Sequence, residues 1–197
     1  GDISSAAYFL AAGLIVPGSE ITVRNVGVNP TRTGMLDVIR AMGGRMEITN
    51  VRDSAEPMAD ITVRFSELKG TVIGGELIPR LIDELPVIAI MAAFAQGETV
   101  IQDAAELKVK ETNRIRTMAE EMDRAGLDVE ETPDGMIIRP GKKPVPASFD
   151  SHGDHRVAMS CAVLALRCGG VSEIRNSESV NISFPGFFRL LAGVSRE

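Results

Sequence analysis

Apolar residues recur along this chain in two rhythms. From Ile3 to Ile15 almost every position is apolar or small, ISSAAYFLAAGLI, and Asp2 or Ser4 stands ready to cap it. Such a run predicts a helix without a polar face, buried on all sides. Pro17-Gly18 stops it and EITVRN alternates as a strand. The linker VGVNPTRTG then leads into a short amphipathic helix, MLDVIRAM, closed at Gly43-Gly44 and followed by the strand RMEITN. The order then repeats. Leu85–Ala95 is a second small-and-apolar helix, ETVIQD a strand and AELKVKETN a linker. Ile115, Met118, Ala119, Met122 and Ala125 then mark one face of a helix that Thr112 can cap and Gly126 ends. DVEETPDGMIIRP reads as a hairpin turning at Pro133-Asp134-Gly135. A third round gives a helix His155–Arg167, a strand VSEIRN, a linker SESVNISFPG and a last helix Phe187–Ala192.

Three turn glycines, Gly18, Gly97 and Gly170, each precede a strand that ends in Asn25, Asp103 or Asn176. The pattern predicts an α+β fold: a single domain over 1–197 of three repeated units, about 1–75, 76–148 and 149–197. The apolar helices are expected at the centre and the sheets outside. Val51–Gly75 is expected to add strands, with Asp60 and Arg64 as solvated surface charges, and 142–148 to form a loop.

Composition narrows the function. The chain has 197 residues, 44% hydrophobic content and a net charge of -6, which suits a packed core and no basic surface for nucleic acid. No 18-residue apolar run could cross a membrane. Cys161 and Cys168 read as buried free thiols of a cytosolic protein. Two histidines and no zinc-type cysteine spacing leave metal chemistry without support. Phosphate-loop, dinucleotide and nucleophile-elbow motifs are missing as well, so no cofactor is expected. Gly1-Asp2 runs straight into a helix with no initiator methionine, and the expectation is a domain of a longer protein.

Candidate chemistry gathers where helices begin. Lys110, Glu111 and Arg114 lie at one helix start, and His155 and Arg156 follow Asp154 at another. A cation at a helix N-terminus opposes the dipole and needs an anion nearby. That anion is a protein carboxylate (Glu111 or Glu120 for Arg114, Asp154 for Arg156) or a ligand carboxylate or phosphate held by the guanidinium fork. Asp83 caps the second apolar helix, or one of the adjacent carboxylates Asp83 and Glu84 holds a substrate hydroxyl. Glu84 complements the dipole there, and His155 is a capping histidine or a site residue.

GDISSAAYFLAA, NPTRTG, LIDELPVIAIMAAFA, LKVKETNR, DHRVAM and SFPGF, in this order over 1–187, closely resemble the 3-phosphoshikimate 1-carboxyvinyltransferase family, also called EPSP synthase. KETNR with DHRVAM is the specific part. The resemblance covers the C-terminal half of a family built from two domains of three βαβαββ units, the inside-out barrel of enolpyruvyl transferases. It implies transfer of the enolpyruvyl group from phosphoenolpyruvate to the 5-hydroxyl of shikimate 3-phosphate. It implies Asp83 at that hydroxyl, Lys110 near the hydroxyl and phosphate, Glu111 as acid and base, and Arg114 and Arg156 on phosphoenolpyruvate with His155 in support. The implied partners are the two substrates and the N-terminal domain of the same enzyme. Glyphosate is the implied inhibitor of the full enzyme, which would be a cytoplasmic monomer.

Two positions depart from the family pattern. Ile182 stands where many members have a lysine, and Glu106 where they have an asparagine. Two other classes stay open: a folding or binding module without turnover of its own, and UDP-N-acetylglucosamine enolpyruvyl transferase, which shares fold and donor but lacks the KETNR–DHR pairing.

Overall fold

The computed structural model describes residues 1–53 and 55–195. Ser54, within the expected strand-adding segment, and Arg196 and Glu197, within the expected third unit, lie outside the described residues. The chain opens with α1 (Ile3–Ile15), capped by the Asp2 carboxylate, which accepts from the Ser5 N–H at 2.9 Å. β1 (Glu20–Gly27), α2 (Gly34–Ala41), β2 (Arg45–Arg52) and β3 (Met58–Arg64) follow. These strands form one sheet in the order β1-β3-β2, antiparallel at both junctions. Val51–Gly75 thus does supply strands, ending in the short β4 (Val72–Ile73). Asp60 is more engaged than a solvated charge: it accepts from the Asn25 backbone and the Asn50 side chain.

After α3 (Leu85–Ala93) come β5 (Thr99–Ile101), α4 (Arg114–Arg124) and the hairpin β6 (Asp128–Thr132) and β7 (Gly135–Arg139). They complete a four-stranded sheet in the order β4-β5-β7-β6, with β4 parallel to β5. A β-carbon at Gly135 would lie 1.9 Å from the Ile101 carbonyl oxygen, so only glycine lets the hairpin close on β5. β8 (Ser148–Asp150) pairs in parallel with β9 (Glu173–Arg175) across α5 (His155–Ala165). The chain finishes with α6 (Val180–Ser183) and α7 (Phe187–Val194).

Helices α1, α3 and α5 pack on one another at the centre of one continuous apolar cluster. Their sequences dictate this. All nine residues of α3 are buried, as is every residue of α1 except Ser5. Alanines keep the interhelical contacts short, and a β-carbon at Gly13 would come 2.7 Å from Val63 Cγ2, so α1 lies directly against β3. Tyr8 and Phe9 of α1 meet Phe187 of α7 edge-on at 5.7 Å. Helices α2 and α4 bury only one stripe each, Met35, Leu36, Val38 and Ile39 in the first and Ile115, Met118 and Met122 in the second.

Local readings shift in four places. Asn113, not Thr112, caps α4, accepting from the Arg116 N–H at 3.2 Å. Lys110 and Glu111 therefore sit in the loop ahead of the helix and not in its first turn. Asp83 does not cap α3: Glu84 is the capping residue and makes no side-chain cap bond. Among the turn glycines, Gly18 and Gly97 have φ of 78° and 91°, but the third left-handed glycine is Gly169 at 67°, one before Gly170. Asn25, Asp103 and Asn176 share one left-handed conformation, φ 57°, 59° and 55°, although Asn25 lies at a bulge within β1 and does not end it. Asn113→Ala is expected to lower stability by about 1 kcal/mol through the lost cap, read as a shift of the urea midpoint at unchanged slope.

Candidate functional site

The turn before α3 brings Asp83 to the starts of α4 and α5. Its carboxylate reaches two arginines, with Oδ1 3.3 Å from Arg114 Nη1 and Oδ2 3.5 Å from Arg156 Nη2. Arg156 Nη1 also donates to the Asp83 carbonyl oxygen at 3.4 Å and lies 3.8 Å from Glu84 Oε1. Arg114 is buried to 2% side-chain exposure. Its Nε donates to Asp154 Oδ2 at 2.8 Å, and its Nη2 donates to Asp154 Oδ1 at 3.3 Å and to Glu111 Oε2 at 2.5 Å.

Asp154 is the keystone. It is fully buried and caps α5, accepting from the N–H groups of Arg156 at 2.8 Å and Val157 at 3.4 Å, and from Thr112 Oγ1 at 3.1 Å. Burial alone would raise its pKa. The hydrogen bonds and charge of Arg114, then the two N–H groups, outweigh burial and hold the carboxyl below its ordinary range. Glu84, also buried, is pushed upward, first by desolvation. His155 Nδ1 stands 3.9 Å from Glu111 Oε1. Burial and then the Arg156 charge lower the His155 pKa, so its imidazole is neutral at pH 7.

The structure thus brings Asp83, Glu111, Arg114, His155 and Arg156 together from three separate parts of the chain. Lys110 adjoins them through Glu111, but its Nζ is taken by Glu106 Oε1 at 2.5 Å. The expected Arg156–Asp154 side-chain bridge is not the pairing found: Asp154 spends its oxygens on Arg114, and Arg156 turns to Asp83 and Glu84. Sequence reasoning missed Asp154 as a site residue, and Thr112 as its hydroxyl donor. A capping aspartate directly before His155-Arg156 was the available signal.

Chemically this is a cluster of arginines whose charges are matched by the protein's own carboxylates. Asp83 and Glu111 remain 35% and 47% exposed. Among the described residues no group of three or more His, Cys, Asp or Glu is placed to hold a metal ion. No helix there is long and apolar enough to cross a membrane.

Known proteins resemble this chain in sequence and in fold. A 3-phosphoshikimate 1-carboxyvinyltransferase of Geobacillus kaustophilus is 57% identical over 95% of the chain and 45% of its own length. One from Desulforudis audaxviator is 52% identical over 100% of the chain and 46% of its own length. The solved EPSP synthase of Acinetobacter baumannii superposes with a TM-score of 0.94 at 40% identity, covering 98% of this chain and 45% of that one. The enolpyruvyl transferase NikO of Streptomyces tendae, at 17% identity and a TM-score of 0.75, shares the fold. The chain spans about half the length of the curated relatives it matches. The sequence pattern of EPSP synthase (3-phosphoshikimate 1-carboxyvinyltransferase) matches residues 1–191, so the chain belongs to that family.

Proposed function

We propose that residues 1–197 form the C-terminal-type domain, of three repeated units, of a cytoplasmic two-domain EPSP synthase. The domain would work with an N-terminal domain to move the enolpyruvyl group of phosphoenolpyruvate to the 5-hydroxyl of shikimate 3-phosphate. The observation that supports this is the Asp83 carboxylate lying between Arg114 and Arg156, with Glu111 and His155 beside them. It joins a proton acceptor to two fixed guanidinium forks.

In this reading Asp83 accepts the proton of the 5-hydroxyl as its oxygen attacks C2 of phosphoenolpyruvate, and Glu111 gives a proton to the methylene carbon. The tetrahedral adduct then returns a methyl proton to Glu111 as the C2–O bond to phosphate breaks and phosphate departs. Arg114 and Arg156 hold the anionic groups of phosphoenolpyruvate and offset charge that grows in the transition state. Lys110 leaves Glu106 for the substrate, and neutral His155 orients the carboxylates. The other end of each substrate faces the N-terminal domain, whose closure positions them.

A coupled phosphate-release assay tests the reading. The 197-residue chain alone is expected to show almost no turnover, and the chain joined to its N-terminal domain a rate within about 1–10³ per second. Full rates from the chain alone would contradict the two-domain requirement, and an inactive joined enzyme would contradict the activity.

A further inference from the structure

The loop between β1 and α2, residues 28–33, plays no part in the arrangement above, yet it is firmly built. Asn29 Oδ1 accepts from the Thr31 N–H at 3.0 Å and from its hydroxyl at 2.8 Å. The Arg32 N–H donates to the Asn29 carbonyl at 2.9 Å. Arg80 Nε donates to the Pro30 carbonyl at 2.8 Å, and its Nη1 lies 2.9 Å from Asp37 Oδ2. From this braced loop the Arg32 side chain reaches back to the start of α1. There its Nη2 lies 3.2 Å from Ser4 Oγ and 3.6 Å from Asp2 Oδ1. These are loose contacts of a side chain still 58% exposed, so Arg32 gives them up at little cost.

Ser4 and Asp2 also line a cavity of about 60 Å³, together with Ser5, Tyr8, His155 and Arg156. That is several times the space one water needs. The Tyr8 hydroxyl is buried beside Arg156 and makes no hydrogen bond. Burial pushes its pKa up, so it stays a donor without an acceptor, a costly state for a buried group. Two helix N-termini, of α1 and α5, open at the same cavity and favour negative charge. Of the carboxylates nearby, Asp2 is engaged as the α1 cap, Asp83 holds the two site arginines, and Glu84 Oε1 is buried without a hydrogen-bond partner, 3.8 Å from Arg156 Nη1.

We propose that this cavity is an anion subsite with Arg156 and the Tyr8 hydroxyl in its wall and Arg32 beside it on Ser4 and Asp2, and that it takes a carboxylate or phosphate group of the substrate. Arg156 belongs to the site already described; Arg32 and Tyr8 are the additions. The proposal rests on the reading of this face as the receiver of an anionic substrate. The exposed Asp2 pairing keeps Arg32 nearby until an anion competes for it.

Inorganic phosphate and, separately, acetate are titrated into the 197-residue chain while the arginine Nε–H signals are followed by NMR. The two probes separate a phosphate from a carboxylate occupant. Arg32 and Arg156 are expected to shift together with one of them. Arg32→Met and Tyr8→Phe should each raise its Kd by about fivefold to tenfold, with Arg32→Lys recovering part of the loss. Arg32 is exposed, so its variants should keep the parent unfolding temperature. Arg40→Met, which removes an exposed arginine paired with Asp37 on α2, should change nothing. If Arg156→Met abolishes binding while Arg32→Met stays within twofold of the parent, the subsite is overturned and the anion-receiving face survives. If the parent shows no shift of either arginine, both fall.

Discussion

Asp154→Asn is expected to be among the most damaging single changes in this domain, costing about 3–5 kcal/mol of stability, the range for breaking a buried ion pair from one side. The carboxylate collects five donors: two from Arg114, the Thr112 hydroxyl and two backbone N–H groups at the start of α5. Asparagine keeps the shape and one acceptor oxygen for the helix cap. It removes the charge that offsets a guanidinium only 2% exposed and sets an amide donor against it. The sign of the pH dependence follows from the depressed pKa. The charge-dependent stability is fully present above the ordinary carboxyl pKa, about 3.9, and is lost as pH falls through the lower value of the folded state. Urea unfolding of parent and variant at neutral pH should therefore show the full gap. The gap should narrow below about pH 4, where the unfolded state already holds its proton. A gap under about 1 kcal/mol at pH 7, a size typical of surface pairs, would sink the assignment of Asp154 as keystone.

Glu111→Gln in the joined two-domain enzyme is expected to lower kcat by about 10²–10⁴, the share carried by a positioned acid or base. Glu111 is half-exposed and held to the protein through Arg114 and the neighbouring His155. Glutamine can keep an oxygen on Arg114 Nη2, so anion binding and folding should change little while proton transfer to and from carbon is lost. The expected signature is a fallen kcat with KM for phosphoenolpyruvate within a few-fold of the parent. Slowed exchange of solvent deuterium into the methylene group should accompany it. A kcat within about threefold of the parent would reassign the proton transfers, because less than 1 kcal/mol would then separate the two side chains.

The buried helices were easy to see in the sequence because burial on all sides leaves a local trace, an unbroken apolar and small-residue run such as Ile3–Ile15. The KETNR and DHRVAM segments lie at the starts of α4 and α5, which the fold brings together. The partners within it were not legible. Periodicity registers neighbours three or four residues apart, whereas Arg114 meets Asp154 across 40 positions and Asp83 across 31. The sequence suggested local partners, Asp83 for its own helix and Asp154 for Arg156. The fold placed Asp83 between two arginines and gave Asp154 to the cap of α5 and to Arg114 at once. Asn113 and Thr112 show the same limit on a smaller scale. Either can cap a helix by type, and only the position of Asp154 decides that Thr112 has other work. Lys110 and Glu106, four residues apart, form the local pair that could have been read directly.

The complete pairing of Arg114 has a consequence for how a charged molecule arrives. With three carboxylates already around it, this guanidinium has its charge offset within the protein before any ligand arrives. Association there is an exchange of counter-ions, in which an incoming anion must outcompete a resident carboxylate, and is not a capture from a distance. At Arg114 a lone phosphate or carboxylate gains little from such a trade, whereas a molecule that engages several positions together gains at each. Arg114 can therefore rest among abundant small anions without being occupied by them, and leaves their capture to Arg156 and Arg32.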